Sequence, residues 1–260
     1  ILPKLQAGVR FFAIAASLAS YFLVGVNQRL PIITAGCISI GAGIVALLFG
    51  QDNYGRVKGN NIFRMLQLQA KSFIKEEKLL LLSLRTIVCH VPFVAFVLFW
   101  QIYATEVIHI ETKYLAFFLL VFMVLLMLGN YAVSIFTRKI SNLGTSIAGI
   151  IISILGFVLL FVLPSFPGFV MGAGLIEFGF GVEQSATSTW MCDCIESETR
   201  SAYSSIFSTI QSVAGFIIMN LLGVLTEWNG VNAAWCVAAV AMGVDIVILV
   251  IFSRKYRNRV

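Results

Sequence analysis

Continuous apolar segments of about twenty residues, separated by short polar connections, occupy most of this chain. Of its 260 residues 59% are apolar and only 12% are charged, and the mean hydropathy is +0.95. A segment of this length crosses a bilayer as an α-helix, and its backbone groups are then satisfied internally. The apolar runs do not alternate with period two, which argues against a membrane β-barrel. The sequence therefore predicts an all-α polytopic membrane protein.

Helix caps and helix-breaking residues set the limits of the predicted spans. They predict about eight transmembrane helices, at 8 to 26, 31 to 50, 80 to 103, 113 to 136, 143 to 164, 168 to 189, 202 to 225 and 232 to 252. With this topology 16 of the 18 Lys and Arg residues fall on one side of the membrane, and only Arg29 and Lys113 fall on the other. The positive-inside rule then predicts that both termini are cytoplasmic, in the plasma (inner) membrane. The net charge of +6 is explained by this topology and by anionic inner-leaflet lipids, without a nucleic-acid partner.

The long hydrophilic segment 51 to 79 lies between the second and third spans. Its apolar residues recur at helical spacing: Ile62, Phe63, Leu66, Ala70, Phe73 and Ile74. This pattern predicts an amphipathic helix on the inner leaflet. A major loop after only two of eight spans is unevenly placed. Together with the absence of an initiator Met, this placement leads us to expect a piece of a longer protein or a processed chain.

The sixth span, within GAGLIEFGFGVEQSATSTW (172 to 190), contains two acidic residues. A carboxylate near the bilayer centre costs several kcal/mol unless it is protonated, paired or in contact with water. On a helical wheel Glu177 shares a face with Gln184 and Ser188, and with two glycines, whereas Glu183 points about 120 degrees away. The shared face is typical of a helix beside an aqueous pathway. The glycines on it also permit close helix packing.

The placement of the long loop resembles the major facilitator superfamily, in which two six-helix lobes are joined by a long cytoplasmic loop. Spans one and two also mirror spans seven and eight in length, in Ser and Gly content and in their polar external turn, as parallel repeats do. The resemblance implies that 1–50 is the end of the N-terminal lobe, 51–79 the inter-lobe loop and 80–260 the complete C-terminal lobe. The first four helices, which a complete transporter needs, would then be missing from this chain.

Two cytoplasmic motifs add to the resemblance. Asp193 and Arg200 are similar to the acid and arginine that follow the family's tenth helix and help to hold its helix bundles together; the alternative is a solvated turn before a capped helix. Arg138 and Lys139 lie where the second lobe carries its copy of the family's Gly, acid, basic loop. The acid of that loop is absent here, so only the location and the charge are carried over.

The resemblance also implies which side chains face the central pathway. We expect proton coupling and solute contact from Glu177, Gln184 and Ser188 in the sixth span, His90 in the third, Ser208 and Gln211 in the seventh, and Arg10 and Tyr21 in the first. Glu177 is the predicted proton carrier, because a carboxyl at the midplane can bind a proton in one conformation and release it in the other. The alternatives are a structural bond for Glu177, a carbonyl partner for His90 and plain helix packing for the serines. Glu183 is more simply explained as a structural partner of Arg85, and Asp245, mid-span in the last helix, has no predicted partner.

These residues predict transport of a small organic solute by alternating access, coupled to protons, with efflux slightly favoured. No cofactor or metal is expected, since Cys192 and Cys194 lack a second ligand pair and are interpreted as small buried residues. An enzyme is disfavoured, because His90 and His109 are not spaced as metalloprotease ligands and no nucleophile elbow occurs. The alternatives left open are a nonfunctional fragment or a distinct eight-helix membrane protein, with an intramembrane enzyme last.

Overall fold

The structure is a computed structural model that describes residues 12, 15, 16, 18–20, 22–27, 29–50, 71–137, 139–195 and 199–256. All regular elements of these residues are helical. They form α1 (Leu30–Phe49), α2 (Glu77–Ile102), α3 (Leu115–Phe136), α4 (Asn142–Val162), α5 (Phe166–Cys194), α6 (Arg200–Asn229) and α7 (Val231–Tyr256). A π-helical turn, Tyr103–Val107, continues α2, and a 3-10 turn, Thr112–Tyr114, precedes α3.

Each of the seven helices covers one predicted span, and the described residues of the 8 to 26 span are helical as well. The all-α prediction is therefore confirmed. By length and composition, six described ranges are able to cross a membrane: Leu30–Phe49, Glu77–Val107, Thr112–Phe136, Asn142–Val162, Arg200–Asn229 and Val231–Tyr256. The helix α5 is not among them, since two glutamates and several glycines lower its hydropathy. Many residues of α5 are instead buried against the neighbouring helices.

Local sequence signals set several helix boundaries. Ser141 caps α4 by accepting a hydrogen bond from the Gly144 N–H at 3.1 Å, and Ser165 caps α5 in the same way through Gly168 at 3.3 Å. Gly230 separates α6 from α7 with a φ of 74°, a left-handed conformation that glycine adopts without strain. The interhelical turns are therefore encoded locally.

An aromatic core joins the helices α2 to α7. Its most deeply buried rings come from five of these six helices: Phe96 (α2), Phe122 (α3), Phe157 (α4), Phe169 (α5) and Trp235 (α7). Tyr103, at the end of α2, donates its phenolic hydrogen to the Leu160 carbonyl at 2.6 Å. The helix α1, by contrast, contains no buried residue. Within the described ranges, the core thus belongs to the six later helices.

Two antiparallel helices, α4 and α5, approach each other closely through glycines. Gly149 faces Gly179 and Gly156 faces Gly172, so that a seven-residue spacing on one helix matches the same spacing on the other. A Cβ added at Gly179 would lie 2.6 Å from the Gly149 carbonyl oxygen, and one at Gly156 would lie 2.6 Å from that of Gly172. We call these four residues the glycine seam. Small residues that let two backbones touch are a common basis for helix association in membranes.

Only the end of the predicted amphipathic helix in segment 51 to 79 can be assessed, because 51–70 lie outside the described residues. Residues 71–75 are helical. Phe73 is buried and makes edge-to-face contacts with Tyr203 and Phe207 of α6, at ring-centroid distances of 5.4 and 5.2 Å. This side chain therefore packs against the bundle, whereas the sequence predicted a position on the lipid surface. Aromatic pairing offers Phe73 a fixed partner, which lipid does not.

Candidate functional site

A cavity of about 530 Å³ lies between α2, α3, α5 and α6, within a bundle that is otherwise mainly apolar. Its polar lining comes from all four helices: Arg85, Thr86, Cys89, His90, Asn130, Glu183, Gln184, Ser185, Thr187, Ser188 and Gln211. Phe93, Phe180 and Met191 supply apolar surface. The volume is in the range of pockets that bind small organic molecules.

Four of the predicted pathway residues line this cavity, namely His90, Gln184, Ser188 and Gln211. The His90 Nδ1 and Gln211 Nε2 atoms are 3.0 Å apart, which joins α2 to α6 across the cavity. Gly215 makes room for this histidine, since a Cβ there would lie 2.9 Å from His90 Nε2. The carbonyl partner considered for His90 is therefore replaced by a side-chain amide.

The remaining predicted residues lie elsewhere. Glu177 is 8% exposed and is not part of the cavity lining. It precedes Phe180, whose ring is 6.0 Å from that of Phe93 at one end of the cavity. Ser208 is exposed on α6, outside the lining. Arg10 and Tyr21 lie outside the described residues.

The face predicted for the sixth span is divided between two environments. Gly181 packs against α3, since a Cβ there would lie 3.0 Å from the Asn130 backbone nitrogen. Gln184 and Ser188, further along the helix, border the cavity. The first half of this face is therefore packed against other residues of the bundle, and the second half borders the cavity. Glu177 belongs to the first half.

Three charged side chains from three helices meet at the cavity wall. Arg85 of α2 donates from Nη2 to Glu183 Oε1 of α5 at 2.5 Å, and its Nε lies 3.2 Å from Asp245 Oδ1 of α7. Arg85 and Asp245 are each only 2% exposed, and Glu183 is 16% exposed. We call these three residues the charge cluster. Its geometry agrees with the expected pairing of Glu183 and Arg85, and it gives Asp245 the partner that the sequence did not.

Hydroxyl groups extend the charge cluster to α4. Arg85 Nη2 donates to Thr187 Oγ1 at 3.0 Å, and Thr187 in turn donates to Glu183 Oε1 at 2.7 Å. Ser146 Oγ lies 2.9 Å from Thr187 Oγ1 and acts as donor, because the single Thr187 proton is already used. Neither Thr187 nor Ser146 was predicted from the sequence to be part of the site. Their signal was weak, since hydroxyls in membrane helices more often bond to their own backbone.

Comparison with known families decides the identity of this fold. The sequence model of the Major Facilitator Superfamily matches residues 5–219, most of the chain. The chain belongs to this superfamily. Its members are transport proteins, so the chain is an integral membrane protein of a transporter family and not an enzyme.

Among solved structures, this chain is similar to a bacterial homologue of the human lysosomal transporter Spinster, whose structure is described as inward-facing and unoccupied. The TM-score is 0.53 at 15% identity, and the match covers 96% of this chain and 66% of the other. At this identity the likeness shows the fold alone. The chain thus spans slightly less than two thirds of the length of the Spinster homologue. A search of curated proteins found no significant match.

The two motifs that the superfamily resemblance predicts to be cytoplasmic are only partly described. Arg200 donates from Nη2 to the carbonyl oxygens of Cys192 at 2.7 Å and Ile195 at 3.2 Å, and so closes the end of α5. Asp193 is exposed and lies 3.5 Å from Asn142 Nδ2 of α4, without an ion pair to Arg200. Lys139 is exposed and Arg138 lies outside the described residues. Arg200 therefore acts here as a C-terminal helix cap.

Proposed function

We propose that this chain is part of a secondary transporter that moves a small organic solute by alternating access, coupled to protons. The polar cavity carries this proposal. Charged and amide groups inside a membrane bundle are unfavourable unless they are used or paired, and they mark solute pathways in transporters. His90, Gln184, Ser188 and Gln211 are then the solute contacts, and efflux of amphipathic compounds suits the mixed lining.

Glu177 remains the proposed proton carrier. Its burial supports this role, because burial disfavours an ionised carboxylate more than a neutral carboxyl. It lies one helical turn before Phe180, which borders the cavity. Movement of that turn would bring the carboxyl to the aqueous side and allow the proton to leave.

The proposal includes the rest of the superfamily architecture. The functional unit would contain four further helices before the described ones, and a second lobe wall would then face the cavity. Residues 1–50, 51–79 and 80–260 would serve as the end of one lobe, the linking loop and the other lobe. Both termini would be cytoplasmic in the plasma membrane.

The test uses the protein as its own gene encodes it, in everted vesicles with an imposed pH gradient. A panel of neutral, anionic and cationic amphipathic dyes is added, and proton release is followed with a pH-sensitive fluorophore. At least one dye should dissipate the gradient in the wild type and not in Glu177→Gln, while exchange of that dye across the membrane persists. The exposed Glu227 of α6 provides the matched control, Glu227→Gln. Unchanged proton release in Glu177→Gln removes Glu177 from coupling, and no dye response in the wild type contradicts proton-coupled transport.

A further inference from the structure

The charge cluster contains one cation and two anions. Arg85 is shared between Glu183 and Asp245, which leaves one negative charge in excess when both carboxylates are ionised. The charged and titratable groups facing Asp245 from the packed helices are Arg85 and the Cys89 thiol of α2 and Glu183 of α5. The cavity lining contains no second Lys or Arg among the described residues.

Arg85 does not satisfy both carboxylates equally. Its short hydrogen bond goes to Glu183, whereas Asp245 accepts a longer one at Oδ2, from Nη2 at 3.4 Å, and the contact of Nε with Asp245 Oδ1 is an ion pair without hydrogen-bond geometry. Asp245 Oδ1 is buried and has no hydrogen-bond donor. Burying a charge without full compensation is costly, so the cluster attracts a further positive charge.

Only Glu183 offers the excess charge to the cavity. It lines the cavity and is partly exposed, whereas Asp245 lies behind Arg85 and outside the lining. Aromatic rings form the wall nearby: Phe93 stacks on His90 at a centroid distance of 5.6 Å and contacts Phe180 at 6.0 Å. A carboxylate beside aromatic faces suits a substituted ammonium ion, which is attracted by both.

We propose that the cavity selects organic cations, with the ammonium group seated at Glu183 and its apolar substituents against Phe93 and Phe180. This inference rests on the proposed function, because it gives the chemical class of the solute that the cavity takes. The cation completes the charge of the cluster without displacing Arg85 from Asp245. When Nδ1 of His90 accepts the Gln211 amide hydrogen, this nitrogen carries no proton and the imidazole ring is neutral. The ring then does not repel the cationic solute.

The test compares choline with 3,3-dimethylbutan-1-ol, a neutral molecule of the same shape in which carbon replaces nitrogen. Binding to the purified protein, as its own gene encodes it, is measured by calorimetry and by thermal unfolding at constant pH and without any gradient. We expect saturable binding of choline at least about tenfold tighter than that of the alcohol. Equal binding of the two, no saturable binding of choline, or equal stabilisation by sodium chloride at the same ionic strength overturns the proposal.

Two variants separate charge from contact. Glu183→Gln and Asp245→Asn each remove the excess charge and should weaken choline binding by roughly tenfold, although Asp245 does not line the cavity. Glu227→Gln should bind choline as the wild type does. Unchanged binding in Asp245→Asn contradicts the charge count. Should Glu183→Gln fail to fold, the wild-type comparison and Asp245→Asn still decide.

The outcome is independent of proton coupling. Binding without a gradient is unaffected if Glu177 proves irrelevant to coupling. Dye-driven proton release without choline binding would support proton-coupled transport and would contradict the proposal that the solute is an organic cation.

Discussion

The glycine seam and the charge cluster are neighbours along the same helix, α5, and stabilise it by different means. At the seam, Gly172 and Gly179 contact the α4 backbone directly, with no room for a side chain. At the cluster, Glu183 reaches Arg85 through a hydrogen bond beside an open cavity. The glycine seam depends on shape and the charge cluster on charge. Substitutions should therefore have different consequences at the two places.

The largest expected effect on stability is at the charge cluster. Arg85→Met leaves two carboxylates buried without a cation, and the free energy of unfolding should fall by about 3 to 5 kcal/mol. The triple variant Arg85→Met, Glu183→Gln, Asp245→Asn should recover most of this loss, because no charge is then left unpaired. Unfolding in mixed detergent and SDS micelles measures both. A triple variant as unstable as Arg85→Met would show that the loss is one of packing and not of charge.

The stability of the glycine seam should be sensitive to the addition of one methyl group. Gly179→Ala places a Cβ 2.6 Å from the Gly149 carbonyl oxygen, so the two helices must separate, at a cost of about 1 to 3 kcal/mol. Gly223→Ala on α6 is the control, since nothing lies within 4 Å of a Cβ there. Thermal unfolding in detergent compares the two. Equal stability of the two variants would mean that the seam is not a close backbone contact.

A hydrogen bond at the far end of α4 should have a smaller effect. Tyr103→Phe removes the bond to the Leu160 carbonyl and should cost about 1 kcal/mol, because both groups are buried. Tyr131→Phe, at a side chain that is 70% exposed, is the matched control and should be neutral. The same unfolding measurement applies. A neutral Tyr103→Phe would indicate that water replaces the phenol.

The smallest effect on stability should come from the cavity lining. Gln211→Leu should change the free energy of unfolding by less than about 0.5 kcal/mol, since the residue is exposed. Solute binding should fall about threefold to tenfold, because one hydrogen-bonding group and the position of His90 are lost. Ser212→Ala, one residue further and outside the lining, should change neither. A large stability loss in Gln211→Leu would assign this residue to structure.

The charge cluster and the glycine seam were not equally predictable from the sequence. The spans were predictable because apolar length is a local property, and Arg85 and Glu183 could be paired because unpaired charges are rare in membranes. The partner of Asp245 was not predictable, since a helical wheel does not tell which neighbour a residue faces. The glycine seam was predictable in principle, because glycines seven residues apart occur on two consecutive spans.

The position of Glu177 shows a limit of the helical wheel. The wheel placed it at nearly the same angle as Gln184 and Ser188, but it contains no information on where along the axis a cavity ends. In the structure the rings of Phe93 and Phe180 mark that end, and Phe180 follows Glu177 by one helical turn. The depth of an aqueous space depends on side chains from other helices, which one segment does not specify.

The backbone contact along the glycine seam has a practical consequence for measuring motion. Spin labels or fluorophores attached to exposed positions of α4 and α5 should keep a constant separation through a transport cycle, because neither helix can slide without overlap of main-chain atoms. That pair provides a fixed frame of reference. Displacements of α2 and α6, which share the His90 to Gln211 contact, can then be assigned to these helices alone.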